Sequence, residues 1–275
     1  MQLIVLDRPT WEARRAAHEA RVDAWIEPHL ARRRLGRKHP VEDFLFTYYS
    51  YRPAQLRRWH PGAGVALAES GTEAATVPPQ RADAIAWIRE LLAATAARSP
   101  HLGCFGLHEW AMVYRQSQDE IRHNAWPLRL GARGTDAVVE ASRIRCSHFD
   151  AFRFYTAPAR PLNLLQPTRE TQVANEQPGC LHANMDLYKH AYKLAPLVPA
   201  ELVADCFELA RDIRTLDMQA SPYDLADLGY EPVRIETAEG RARYVEAQRS
   251  FAERGAPLRG RLLAECDRLL EAVRN

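Results

Sequence analysis

Long apolar runs and paired cysteines are both missing from the sequence, and each absence excludes a class of protein. No apolar run approaches the roughly 18 residues of a transmembrane helix. The first seven residues have no basic flank and too short an apolar run for a secretory signal, so we expect a cytoplasmic protein with no membrane partner. The five cysteines are scattered and form no CxxC pair, so neither a disulfide framework nor a thiolate zinc site is indicated.

Several catalytic signatures are missing as well. The chain contains no glycine-rich phosphate loop, no GxSxG elbow, no HExxH helix and no GxGxxG fingerprint. These absences argue against nucleoside-triphosphate chemistry, serine hydrolysis and dinucleotide-dependent redox chemistry.

Helical periodicity is the strongest structural pattern of the chain. A composition of 47% hydrophobic and 26% charged residues over 275 positions is ordinary for a soluble globular protein and allows one substantial core. Apolar residues recur at helical spacing in most segments, whereas residues 135–156 carry β-forming side chains in loose alternation. The sequence therefore predicts a mainly α fold: a single compact helical domain over residues 1–275, with a small central β element around residues 135–156.

Positive charge is concentrated at the N-terminal end. The net charge is only +2, but residues 1–60 hold 12 Lys+Arg against 7 Asp+Glu. We therefore predict a basic N-terminal helical part, 1–60, which is compatible with a polyanionic partner without requiring one.

The stretch Arg37–Gly62 combines aromatic, cationic and acidic side chains at high density. Apolar residues at i, i+3, i+4 and i+7 predict a short helix, and a second short helix can begin at Pro53. One interpretation is an amphipathic helical hairpin with a solvated basic face. The other is a pocket wall that offers aromatic faces and cations to a flat, anionic ligand.

Two segments place a carboxylate among apolar neighbours. Glu109 follows His108 in a glycine-flanked apolar segment, where burial would raise the pKa of a carboxyl group and suit it to acid–base catalysis. The structural alternative is a solvent-facing Glu109 beside a hydrogen-bonded His108. Asp217 continues an apolar helical stripe, and Arg214 one turn earlier could pair with it. Glu109 and Asp217 are therefore the preferred catalytic acids.

Two histidine–aspartate pairs have spacings that suit metal binding. His148 and Asp150 would point to the same face of a strand, in the arrangement of facial-triad iron sites. His182 and Asp186 are four residues apart on a predicted helix, where they could share a metal or form a structural pair near Lys189. Both pairs are ligand candidates for a metal-dependent function.

Three segments carry a resemblance to a known family. His39–Gly62, Ser147–Asn163 and Glu176–Leu225 contain the wording HPVEDFLFTYYS, SHFDAFRFYT and LDMQASPYDL. In these segments the chain resembles an actinobacterial-type family commonly labelled 3-methyladenine DNA glycosylase. The resemblance implies a hydrolase-type N-glycosylase of DNA repair that releases an alkylated purine from DNA and needs no cofactor.

The chain contains side chains for each task of such an enzyme, which must extrude the base, stack it on aromatic faces and stabilise an oxocarbenium-like sugar with a carboxylate. The predicted substrate-binding residues are Tyr48, Tyr51, Arg57, Arg58, Trp59, His60 and Trp110, with Tyr49 as a further stacking ring. The predicted catalytic residues are Glu109, Asp217, Asp43 and His108.

Two other functions stay open at this point. One is a metal-dependent enzyme that acts on a small molecule through iron, manganese or zinc. Its ligands would come from His108, Glu109, His148, Asp150, His182 and Asp186. The other is a non-catalytic nucleic-acid-binding protein that uses the basic residues 1–60.

Overall fold

Helices dominate the computed structural model, which describes residues 3–274. The prediction of a mainly α fold is confirmed. The α-helices of the described residues are α1 Arg8–Arg34, α2 Phe44–Tyr48, α3 Pro53–Arg57, α4 Ala82–Ala96, α5 Leu107–Ala111, α6 Gly131–Glu140, α7 Phe149–Phe152, α8 Gln172–Asn175, α9 Leu181–Leu194, α10 Ala200–Gln219 and α11 Ala238–Arg274. Each helix between residues 3 and 274 is too short or too polar to cross a lipid bilayer.

The sheet of the described residues consists of two short parallel strands. β1 (Ile4–Leu6) pairs with β2 (Val65–Leu67), and Ile4 lies opposite Val65. The prediction of a small β element around residues 135–156 is wrong. That region contains α6, α7 and one isolated bridge from Ile144 to Asn163.

The side chains that α6 buries explain why this region forms a helix rather than a strand. Thr135 and Val139 are four residues apart and both are buried, so β-branched residues here form one buried face of a helix. Burial of that face outweighs their modest preference for strands. The sequence alternation was too loose to reveal this spacing.

The chain divides into two units that are each internally packed. Unit 1 comprises the described residues up to Ala93, Met185–Arg211 and those from Ala256 onward. Unit 2 comprises Ala94–Asn184 and Asp212–Gly255. The single domain over residues 1–275 stays a prediction, and Met1, Gln2 and Asn275 lie outside the described residues.

Unit 1 is built on α1. The Asp7 side chain caps this helix by accepting a hydrogen bond from the Thr10 backbone N–H at 2.8 Å. Val22 and Ile26 are buried on its inner face. Arg21 on the same helix contacts the Asp205 carboxylate at 2.7 Å and thereby ties α1 to the unit-1 part of α10.

Unit 2 holds two loops together through one glutamine. The Gln177 side-chain oxygen accepts hydrogen bonds from the backbone N–H groups of His101 and Gly179, both at 2.7 Å. A Cβ at Gly179 would lie 2.6 Å from the His101 carbonyl oxygen, so only glycine fits this approach. The contact joins the segment that leads into α5 to the segment that leads into α9.

Candidate metal centre

A buried ionic cluster lies where α5 meets the last turns of α10 in unit 2. His108 Nε2 is 2.7 Å from Asp217 Oδ1. Arg214 Nη1 donates to Asp217 Oδ2 at 2.8 Å and to Glu109 Oε1 at 2.9 Å. All four residues are 7% exposed or less, and Asp217 is fully buried. The predicted acids Glu109 and Asp217 therefore come together around one arginine.

Local sequence explains why α5 presents its polar residues to α10. Gly106, immediately before α5, has a left-handed backbone with φ 67°, where glycine carries no steric penalty. Inside α5, Trp110 Nε1 donates to the Ala220 carbonyl at 2.8 Å and anchors the helix to the residue that follows α10. His108 is thereby placed against Asp217, and Glu109 against Arg214.

The cluster keeps the Asp217 carboxylate ionised. Burial alone would raise the pKa of Asp217, but the adjacent His108 and Arg214 outweigh this effect and hold the pKa well below its ordinary value. Burial and the Arg214 charge lower the pKa of His123 to about 3, so this ring, 3.5 Å from Arg214, is neutral.

His182, in the first turn of α9, completes a set of three side chains that could hold a metal ion. Its ring lies edge-on to His108 with centroids 4.4 Å apart. Donor atoms of His108, His182 and Asp217 all lie within 4.8 Å of one another. Two imidazoles and one carboxylate form the ligand set of many iron sites and of some zinc enzymes.

A small pocket is lined in part by two of these three residues, His108 and His182. Its free volume of about 10 Å³ suits about one water molecule or ion. The pocket is lined by Cys104, His108, Arg145, Cys146, Ser147, Gln177, Cys180, Leu181 and His182. Burial raises the pKa of the Cys146 thiol to about 12 and also raises that of Cys104 and Cys180. The three thiols are therefore protonated lining groups rather than nucleophiles.

A second histidine–carboxylate pair lies beside His182. His148 Nε2 is 3.4 Å from Glu176 Oε1, and both side chains are buried. The His148 ring stacks on the His182 ring with centroids 5.3 Å apart. Gln172 Nε2 donates to Glu176 Oε1 at 2.5 Å and orients the carboxylate.

The predicted pairing of His148 with Asp150 depended on a strand that does not form. Asp150 lies in the first turn of α7, because residues 149–152 are helical. Its carboxylate is 3.2 Å from Arg169 and 3.3 Å from Arg153. Helical geometry therefore removes the same-face argument, and Asp150 has a structural ion-pair role.

Asp186 and Asp43 both lie in unit 1. Asp186 accepts a hydrogen bond from the Tyr49 hydroxyl at 2.8 Å and also contacts Lys189. Asp43 Oδ1 contacts Arg32 at 2.7 Å and His29 at 2.9 Å. Burial alone would raise the pKa of Asp43, but the effect of these partners is larger, and the pKa lies below its ordinary value. Asp43 therefore has the contacts of a structural anchor between α1 and α2.

Some of the predicted aromatic wall does line a cleft. Within unit 1, a cleft of about 860 Å³ is lined by Ile26, His29, Leu30, Arg33, Phe46, Tyr49, Ser50, Tyr51, Arg52, Pro53, Ala54 and Arg57. Tyr49, Tyr51 and Arg57 are therefore placed together. Arg57 also pairs with Asp23 at 2.7 Å.

The other predicted substrate-binding residues lie outside this lining. Trp110 is fully buried in unit 2 and offers no open face. Trp59 is packed with Trp11 and donates through Nε1 to Glu201 at 2.8 Å. Tyr48 stacks on Phe44 with centroids 5.0 Å apart.

Two further predicted residues have no contact that supports ligand binding. Arg58 is exposed beyond the C-terminal end of α3. His60 is largely buried, and this burial lowers its pKa to about 4.

Sequence reasoning missed the convergence of His108, His182 and Asp217, and it did not identify Glu176. The available signal was the polar pair Arg214 and Asp217 on an apolar helical stripe. Comparisons of the chain with protein-family models, with curated proteins and with solved structures found no match, so any functional assignment rests on the site itself.

Proposed function

We propose that this protein is a metal-dependent enzyme that acts on a small polar molecule, with His108, His182 and Asp217 as metal ligands. The observation that carries the proposal is that donor atoms of these three residues lie within 4.8 Å of one another, beside a small pocket that His108 and His182 line. The ligand set suits iron, manganese or zinc.

Metal binding requires little rearrangement at His108 and Asp217. Ligand bonds of about 2.1 Å place neighbouring donors roughly 3.0 Å apart in an octahedral site. His108 Nε2 and Asp217 Oδ1 are already 2.7 Å apart. A metal ion would replace the proton that these atoms share, and a side-chain rotation would bring His182 closer.

Arg214 and Glu109 are outer hydrogen-bond partners of the proposed ligand Asp217. Arg214 holds the second oxygen of Asp217, and Glu109 holds Arg214. Such outer partners fix the orientation of a ligand and tune its charge. They explain why α10 carries a buried arginine at this position.

The pocket restricts the chemistry that can take place. Three protein ligands leave coordination positions for water or a substrate atom, and a bound metal lowers the pKa of that water so that it can act as a nucleophile. Arg145, Ser147 and Gln177 supply polar groups around the pocket. The free volume of about 10 Å³ admits one water molecule or ion.

Metal analysis of the purified protein tests this proposal. We expect stoichiometric iron, manganese or zinc, loss of metal on dialysis against a chelator, and a higher melting temperature when the metal is restored. His108→Ala and Asp217→Asn should each lower the metal content, and Glu109→Gln should weaken binding about 10–100-fold as an outer partner. Asp150→Asn, which removes a buried carboxylate of α7, is the matched control and should keep its metal. Protein that takes up none of the three metals would refute the proposal.

A second candidate function is the N-glycosylase activity that the family resemblance implies. The unit-1 cleft favours it, because tyrosine rings and Arg33, Arg52 and Arg57 line a volume typical of ligand sites. A flipped, alkylated purine and its flanking phosphates have the matching chemistry. Arg57 is paired with Asp23, and several other arginines of residues 1–60 are also paired with carboxylates, among them Arg14, Arg21 and Arg32.

Release of free 3-methyladenine from methylated DNA tests this second candidate. We expect release that persists in chelator and falls in Arg52→Glu, with exposed Arg37→Glu as the control for charge alone. Salt-sensitive DNA binding without base release would favour a non-catalytic binder. If the protein neither releases the base nor binds DNA, both nucleic-acid functions are refuted.

A further inference from the structure

We infer that the centre takes two divalent metal ions, the second held by His148 and Glu176 beside His182. This inference rests on the proposed function and extends it from a mononuclear to a dinuclear site. Its residues all belong to unit 2.

The geometry of the second pair matches two ligands of one ion. Ligand bonds of about 2.1 Å place neighbouring donors roughly 3.4 Å apart in a tetrahedral site. His148 Nε2 and Glu176 Oε1 are 3.4 Å apart. This distance exceeds that of a good hydrogen bond but leaves room for an ion between the two atoms.

His182 is the neighbour that both pairs share. Its ring lies 4.4 Å from the His108 ring and 5.3 Å from the His148 ring, measured between centroids. Unlike His108 and His148, it is partly exposed. It is therefore a neighbour common to both pairs, as expected for a ligand in a dinuclear site.

The buried charges suit two cations. Glu109, Glu176 and Asp217 place three carboxylates in the interior of unit 2, and Arg214 bonds two of them. These carboxylates, less the Arg214 charge, would offset two of the four positive charges that two divalent ions carry. Two-metal centres of this kind stabilise both the attacking and the leaving oxygen of a displacement reaction.

Metal stoichiometry distinguishes this inference from the proposed function. Metal-free protein is loaded with Mn²⁺ or Zn²⁺, freed of excess by gel filtration, and assayed by mass spectrometry. We expect two ions per chain in the unmodified protein, one in His148→Gln or Glu176→Gln, and two in the control Asp150→Asn. One ion in the unmodified protein, unchanged by His148→Gln, would overturn the second site and leave the proposed function standing. No bound ion would overturn both.

A spectroscopic measurement on the unmodified protein tests for the second metal ion even where a variant fails to fold. Unmodified protein is titrated with Mn²⁺ and followed by electron paramagnetic resonance. We expect a mononuclear signal at one equivalent and an exchange-coupled signal at two equivalents. A signal that stays mononuclear, with the second equivalent free in solution, would overturn the inference.

Discussion

Replacing Arg214 by methionine tests the buried cluster most directly. The substitution keeps an apolar chain of similar length but removes the group that contacts both Asp217 and Glu109. Breaking a buried ion pair from one side costs about 3–5 kcal/mol, because an uncompensated charge stays buried. Asp217 keeps its hydrogen bond from His108, so we expect a loss of about 3–4 kcal/mol in the free energy of unfolding.

The pH dependence of this loss has a defined sign. In the unmodified protein the pKa of Asp217 is lowered, so its contribution is fully present above the unfolded pKa near 3.8 and is lost as the pH falls through the folded value. In Arg214→Met, burial of Asp217 is less compensated and its folded pKa is higher. The difference between variant and unmodified protein should therefore be larger at pH 8 than near pH 4.

Urea denaturation followed by circular dichroism at both pH values measures the effect. Arg254→Met is the matched control, because Arg254 forms an exposed ion pair with Asp212 in the same unit. Such surface pairs contribute about 0–1 kcal/mol. A loss below 1 kcal/mol in Arg214→Met, or equal losses in the two variants, would refute the reasoning about a buried charge cluster.

Three further substitutions test packing and burial elsewhere. Gly240→Ala should destabilise the protein by about 1–3 kcal/mol, since its Cβ would lie 1.9 Å from the Arg234 carbonyl oxygen. Gly260→Ala, on the same helix α11 but in open space, should stabilise the protein by about 0.5–1 kcal/mol. Chemical denaturation measures both changes in the free energy of unfolding. Effects of the same sign in the two variants would contradict the packing argument. Burial lowers the pKa of His60 to about 4, so stability should fall as the pH drops from 6.5 towards 4, by at most about 1.4 kcal/mol per pH unit. His60→Gln should flatten this slope in melting experiments across that range, and an unchanged slope would contradict the burial of an uncharged His60.

The sequence determined the helical class of the fold and showed that Asp217 is a carboxylate on an apolar helical stripe. Helical spacing of apolar residues depends on neighbours three and four positions apart, so the printed sequence contains it directly. The same reasoning identified Arg214 as a partner for Asp217, because the two side chains are one turn apart on a helix. It failed at residues 135–156, where burial of Thr135 and Val139 on one helix face overrode their strand preference.

Only the tertiary structure decided which polar residues form a site. His108 and Asp217 meet although 109 positions separate them in the chain, and His182 joins them from a third segment. Local patterns suggested His148 with Asp150 instead, because adjacent spacing is all that a single sequence displays. Contacts between distant segments depend on how apolar faces pack and on where loops such as the one at Gly179 allow two backbones to approach. That packing brings donor atoms of two imidazoles and a carboxylate within 4.8 Å of one another, which no spacing along the chain predicts.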